Sequence, residues 1–326
     1  MIHATEVTVQ ELEKSLLKVE QPLIVRGMVE WWPIVQAGKE SNNALNKYLI
    51  EQGNDITVGT GKIPAECKGR LFYNDNFDGF NFTRNSESFF DFLASLFKPS
   101  DDSHYMGSTN VEQLFNHFKQ DNALPQLAHL NPLVSAWLSN KSIVAAHQDF
   151  PDNLAICIAG KRRFTLFPPE QVENLYIGPL DHTPAGQPIS LVNITEPNFE
   201  QHPKFKIAQT HAVVAELEPG DALLIPSLWW HAVEGLEQVN VLINYWWQNS
   251  PNYLGSPMDA LLHSIMNISA LEPQQKQAMK ALFDHYVFNN NERSDDHIPE
   301  HAKGVLSDDE TAARKIRAYL INKLNQ

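Results

Sequence analysis

Three textures of apolar and polar positions follow one another along the chain. In the first, covering about 130 residues, stretches of helical period alternate with short apolar runs, which predicts a mixed α/β region. Thr8 and Glu11 in "TVQELEKSLL" have capping-box spacing ahead of an amphipathic run, so a helix is expected there. "PLIVRG" reads as a buried strand. Further helices are expected at "SNNALNKYLIEQ", "ESFFDFLASLF" and "NVEQLFNHF", and short strands at "DITVG", "RLFYN" and "HYMGS".

From Val134 the rhythm changes to short apolar runs broken by turn residues: "VSAWL", "SIVAAHQD", "NLAICI", "RRFTLF", "HAVVAEL", "DALLIP", "WHAVEG" and "VNVLINYWW". Regular spacing of this kind predicts an antiparallel β-sandwich or barrel, not a parallel βαβ sheet. "IAGKR" and "LEPGDA" supply tight turns. After Pro257 helical spacing returns in "MDALLHSIMNI", "PQQKQAMKALFDHYVF" and "SDDETAARKIRAYLINKL", the last with Ser307 and Glu310 spaced as a capping box. Met279, Leu282, Phe283 and Tyr286 form an apolar stripe of helical period, fit for a core or for a partner face. No repeat, low-complexity tract or dividing linker is visible. Two regions are expected, 1–255 and 256–326.

Composition narrows the classes. A length of 326 residues allows one large domain or two, with room for a pocket in the core. The net charge of −14 disfavours a nucleic-acid partner, because generic phosphate-backbone affinity rests on Lys and Arg. Cys67 and Cys157 are the two cysteines and neither lies in a CxxC pair, so a disulfide framework or zinc ribbon is not expected. The N-terminus lacks the charge and apolar run of a signal peptide, and no apolar run approaches the roughly 20 residues that span a bilayer. A cytoplasmic protein without membrane association is expected.

Candidate chemistry begins with "SIVAAHQDF". His147 and Asp149 are two apart, and on a strand such residues point to one side. His-x-Asp occurs once and alone is weak, since a strand histidine bonded to a loop carboxylate looks the same. A second element is "EPGDALLIPSLWWHAVEG", where a turn and strand lead through Pro226 to His231. Two histidines and one carboxylate with open positions form the facial triad of non-haem Fe(II) oxygenases, while zinc hydrolases keep a different set. The plainer alternative packs His231 in the core beside Trp229 and Trp230. The clusters "EWWP", "LWWH" and "NYWW" read first as barrel filling. His104, His182, His202 and His211 have no partner at ligand spacing.

These stretches resemble the cupin-like, JmjC-type Fe(II) and 2-oxoglutarate oxygenases, the family of the asparaginyl hydroxylase that inhibits hypoxia-inducible factor. "PLIVRGMVEWWP" resembles the family's N-terminal strand, "AAHQDFPDNLAICIAGKRRFTLFPPEQ" its metal-binding hairpin, and "PGDALLIPSLWWHAVEG" with "VLINYWW" its closing strands. The resemblance implies a double-stranded β-helix (cupin or jelly roll), mainly β with α, carrying an α/β N-terminal elaboration and C-terminal helices. It makes 1–255 the catalytic domain and 256–326 a segment for homodimerisation. It implies Fe(II) as cofactor, held by His147, Asp149 and His231, and 2-oxoglutarate as co-substrate. Asn153 and Asn244 match active-site asparagines, and Tyr105 matches a tyrosine that meets the 2-oxoglutarate carboxylate.

Two positions depart from the pattern. The family's basic residue for the distal carboxylate is typically lysine, and here Arg162 stands there, between Lys161 and Arg163. Arginine binds a carboxylate bidentately, so the role survives the exchange. Counting in alternate steps from Asn153, with the turn at Ala159 and Gly160 resetting the register, places Arg162 inside with Phe164 and Leu166, and Lys161 and Arg163 outside. Val144 stands where a close relative has threonine, which removes one hydroxyl from the co-substrate pocket. The expected activity is hydroxylation of a protein side chain or small molecule. A metal cupin without 2-oxoglutarate and a silent dimeric binding module remain as alternatives.

Overall fold

The structure, a computed structural model, describes residues 2–16, 18–288, 295–307 and 309–325. They form two compact units, Met1–Gln248 and Asn249–Gln326. The first begins with β1 (Ile2–His3), β2 (Thr5–Glu6), α1 (Val9–Ser15), β3 (Leu23–Val25), α2 (Pro33–Glu40) and α3 (Asn42–Gln52). It continues with β4 (Thr57–Ile63), β5 (Arg70–Leu71), β6 (Thr83–Ser88), α4 (Phe89–Leu96), β7 (Ser103–Asn110), α5 (Val111–Leu114) and α6 (Phe118–Asp121).

Then come the barrel strands: β8 (Leu133–Ser139), β9 (Ser142–His147), β10 (Asp152–Ala159), β11 (Arg162–Phe167), β12 (Val213–Leu217), β13 (Ala222–Ile225), β14 (Trp230–Gly235) and β15 (Asn240–Trp247). Helix α7 (Phe205–Thr210) lies in the long connection between β11 and β12. The chain crosses repeatedly between two antiparallel quartets, β13-β10-β15-β8 and β12-β11-β14-β9. That alternation is the double-stranded β-helix. Strands β3 and β2 extend the first quartet beyond β13, and β7, β4 and β6 extend it beyond β8.

Side-chain alternation explains why β10 and β15 read as almost unbroken apolar runs. Leu154, Ile156 and Ile158 of β10 and Val241 and Ile243 of β15 pack outward with Leu45, Phe89 and Phe92 of the helical layer. Ala155, Cys157 and Leu242 face inward with Phe164, Val233 and Leu223 between the sheets. The outer face of the smaller quartet is covered too, by Leu175, Val192 and Phe205 of the β11–β12 connection. Gly160 makes the β10–β11 turn at φ +72°, where a Cβ would stand 2.4 Å from the Val239 carbonyl oxygen.

The capping box of α1 forms: the Thr8 backbone N–H donates to Glu11 Oε2 at 2.8 Å, and the Glu11 N–H donates to Thr8 Oγ1 at 3.3 Å. Two expectations are corrected. "NVEQLFNHF" is not one helix but α5 and α6, separated at Phe115, whose backbone is extended at φ −128° and ψ 136°. Phe115 bridges to Gly53 and is buried, so packing outweighs helical period there. Ser307 does not cap the last helix. Asp309 does, accepting the Ala312 N–H at 2.7 Å, while Ser307 ends a preceding 3₁₀ turn.

The second unit holds α8 (Pro257–Ile268), α9 (Pro273–Phe283), which runs on as a π-helical turn to Phe288, and α10 (Glu310–Leu324). Among its described residues Ala312 is the buried apolar one, while Leu262, Met266, Leu282, Tyr286 and Tyr319 stand exposed. No helix among the described residues is long and apolar enough to cross a membrane.

Candidate metal centre

His147 ends β9 and His231 lies directly opposite it on β14, the two in antiparallel register. Asp149 follows two residues after His147, in the turn towards β10. This turn is tied to the one before β14: the Leu228 N–H donates to the Asp149 carbonyl at 2.8 Å, and the Ser227 N–H to Asp152 Oδ1 at 2.9 Å. Two connections at the open end of the barrel therefore fix each other. One ligating atom from each of His147, Asp149 and His231 falls within 4.8 Å of the others, and His231 Nε2 is 3.6 Å from Asp149 Oδ2.

The histidines are oriented alike. Nδ1 of His147 lies 2.9 Å from the Ala145 carbonyl, and Nδ1 of His231 lies 3.0 Å from the Trp229 carbonyl. A carbonyl only accepts, so Nδ1 carries a proton in both rings, and in the neutral tautomer this fixes, the lone pair is on Nε2. Burial, and then the neighbouring His147, hold His231 below the usual histidine range. The neutral imidazole is the form that binds metal. A face of two imidazole nitrogens and one carboxylate, with the rest of the sphere open to the cavity, fits Fe(II).

The same cavity, of about 290 Å³, is lined by Tyr105, Asn153, Arg162 and Asn244 as well as the triad. Alternation on β11 sends Lys161 and Arg163 outward, where they pair with Glu218 at 2.8 Å and Glu216 at 2.7 Å. Arg162 points inward and is 2% exposed. Among the described residues its guanidinium makes one long hydrogen bond, 3.4 Å from Nη2 to the Asn240 carbonyl, and Nε has no partner. No carboxylate of the described residues neutralises it. Tyr105, on β7, is pushed up to about 12 by burial and so stays a donor at any physiological pH. Asn244 Nδ2 donates to Asn153 Oδ1 at 2.6 Å, which leaves Asn244 Oδ1 buried and unpaired. An orphaned buried guanidinium is what a bound anion would complete, while the Asn244 oxygen calls for a donor.

Val144, Phe164, Val233 and Leu242 give the cavity an apolar wall between Arg162 and the triad. Sequence reasoning passed over Trp137, Trp246 and Gln187, which also line it. For the two tryptophans the signal was present, since each sits at an inward position of a barrel strand. Gln187 comes from the irregular β11–β12 connection and had no such signal. His104, His182, His202 and His211 take no part in the metal-ligand group among the described residues.

Comparison with known proteins agrees with this architecture. The cupin-like domain matches residues 9–253. HSPB1-associated protein 1 of Bos taurus is 36% identical over 258 residues, covering 75% of this chain and 51% of the relative. Its Mus musculus counterpart is 27% identical over 277 residues, covering 79% and 55%. tRNA wybutosine-synthesizing protein 5 of Danio rerio is 26% identical over 225 residues, covering 63% and 64%. The chain spans about half the length of these HSPB1-associated proteins. By its match over most of its length, its two crossed quartets and its His-Asp-His face, the chain belongs to the cupin-like domain family.

Proposed function

We propose that the protein is an Fe(II)- and 2-oxoglutarate-dependent oxygenase that hydroxylates a protein side chain or a small molecule. The observation that carries this reading is Arg162, a cation buried with no acidic partner among the described residues, in the cavity that also holds the triad. Leaving such a charge unpaired costs several kcal/mol, so an anion belongs to the working state. A dianion that chelates the metal at one end and meets Arg162 at the other supplies it. The metal-binding alternatives without 2-oxoglutarate leave Arg162 without a purpose.

His147, Asp149 and His231 would hold the iron, and Arg162 with Tyr105 would receive the distal carboxylate. With iron and 2-oxoglutarate bound, the chemistry supplied is oxidative decarboxylation coupled to C–H hydroxylation. The protein's own groups position and exclude. The backbone carbonyls of Ala145 and Trp229 fix the imidazole tautomers. The Asn153–Asn244 bond presents one amide oxygen to the site. The Val144, Phe164, Val233 and Leu242 wall keeps water from the carboxylate's path and strengthens its attraction to Arg162.

For substrate class, the net charge of −14 favours a protein or small molecule over a polyanion. One relative is named for association with HSPB1, in keeping with a protein partner, and the other for wybutosine synthesis in tRNA. The exposed apolar residues of α8, α9 and α10 fit burial against a second copy, so we take the working form as a homodimer. Two free cysteines suit a reducing cytoplasm. Anaerobic protein loaded with Fe(II) and 2-oxoglutarate, then given oxygen, should form succinate. Absence of succinate together with absence of 2-oxoglutarate binding would return the protein to the other metal cupins.

A further inference from the structure

The cavity holds two buried donors that the proposed chemistry does not use, the indole N–H groups of Trp137 and Trp246. Trp137 lies on β8 with its ring half-buried against the cavity, yet its Nε1 is buried and has no hydrogen-bond partner. An indole N–H left unpaired in a protein interior needs an explanation.

Register places this donor along the barrel. Trp137 pairs with Leu242, and Leu242 with Cys157, on the strand that leads through the Gly160 turn to Arg162. Across the barrel, Trp137 packs with the cluster of Phe164, Val144 and Val233. Val144 and Val233 pair one step deeper on their strands than His147 and His231. Trp137 therefore stands between the metal end and the Arg162 end. Its ring lies 6.3 Å from that of Tyr105. Trp246, also with an unpaired N–H, pairs with Asn153 and belongs to the metal end. At the level of Val144 the facing wall offers no hydroxyl, so polar contact there must come from the Trp137 side.

We propose that the Trp137 N–H is a third donor, beside Arg162 and Tyr105, to the distal carboxylate of the co-substrate, and so helps the site select a 2-oxo acid with two carboxylates. This rests on the oxygenase reading. A hydrogen bond from a neutral donor to a carboxylate in a desolvated pocket corresponds to about a ten- to hundredfold change in affinity.

Full-length protein loaded with Ni(II) would be titrated calorimetrically with 2-oxoglutarate and with 2-oxobutyrate, which chelates alike but lacks the distal carboxylate. Trp137→Phe keeps a ring and removes the N–H. It should weaken 2-oxoglutarate about ten- to hundredfold and leave 2-oxobutyrate unchanged. Equal loss for both acids marks a packing role, and no loss for either marks an idle N–H; each overturns the proposal. In the wild type, the Trp137 indole ¹⁵N–¹H resonance should move downfield with 2-oxoglutarate and stay with 2-oxobutyrate, a readout independent of how the variant folds. An N–H resting on the Trp246 ring, which lies edge-on at 5.8 Å, would not move and would also overturn it. Failure of the wild type to bind 2-oxoglutarate at all would instead remove the oxygenase reading, and this inference with it.

Discussion

Two backbone carbonyls decide what the imidazoles of His147 and His231 can do. Because Ala145 and Trp229 take the Nδ1 protons, both Nε2 lone pairs are committed to the space beside Asp149. Purified protein should then carry about one divalent metal per chain, as expected for one triad. His147→Ala and His231→Ala should each lower metal content by elemental analysis at least tenfold while melting as a folded protein. Unchanged content in both would remove the triad assignment. At this scale the two-residue spacing of His147 and Asp149 was legible because a strand translates it directly into a shared face. The third ligand's nearness was not, since it depends on a cross-strand register between residues 84 positions apart, set by turns in between. Tyr105, Asn153 and Asn244 entered by resemblance alone, and their convergence on one cavity is a property of the fold, invisible in their spacing.

The hairpin of β10 and β11 carries two of the polar side chains of the site. It delivers Asn153 from one strand and Arg162 from the other, and the turn between them sets which of three consecutive basic side chains enters the barrel. Gly160 allows that turn. Gly160→Ala meets both a left-handed backbone and the Val239 carbonyl, so it should destabilise the protein by about 2 kcal/mol or more, read as a lower urea midpoint. A change within about 0.5 kcal/mol would mean that the turn has an alternative form. The barrel strands were legible because each is a short apolar run between turn residues. Helix α2 was missed: it begins at Pro33, straight after Trp31 and Trp32, and only Ile34 and Val35 are buried on it, too few for a period. Strand β6 was missed as well, since "TRNSES" is a polar edge strand whose pairing to β4 supplies what its side chains do not.

For the whole molecule, the two units differ in how they satisfy their apolar residues. Met1–Gln248 buries its own between and around two sheets, whereas the helices of Asn249–Gln326 leave Leu262, Met266, Leu282 and Tyr286 exposed. Light scattering of the full-length chain at tens of micromolar should give a dimer, and truncation after Ser256 a monomer or insoluble protein. A full-length monomer would contradict the role assigned to that unit. The functional reading itself turns on the buried cation, and one titration addresses it without turnover. Ni(II)-loaded wild type, Arg162→Ala and Lys161→Ala would each be titrated with 2-oxoglutarate by calorimetry. Binding should weaken by about 2 to 5 kcal/mol in Arg162→Ala, whose charge is desolvated, and stay unchanged in Lys161→Ala, whose surface pair with Glu218 contributes little. Equal effects of the two substitutions, or no binding by the wild type, would contradict the account.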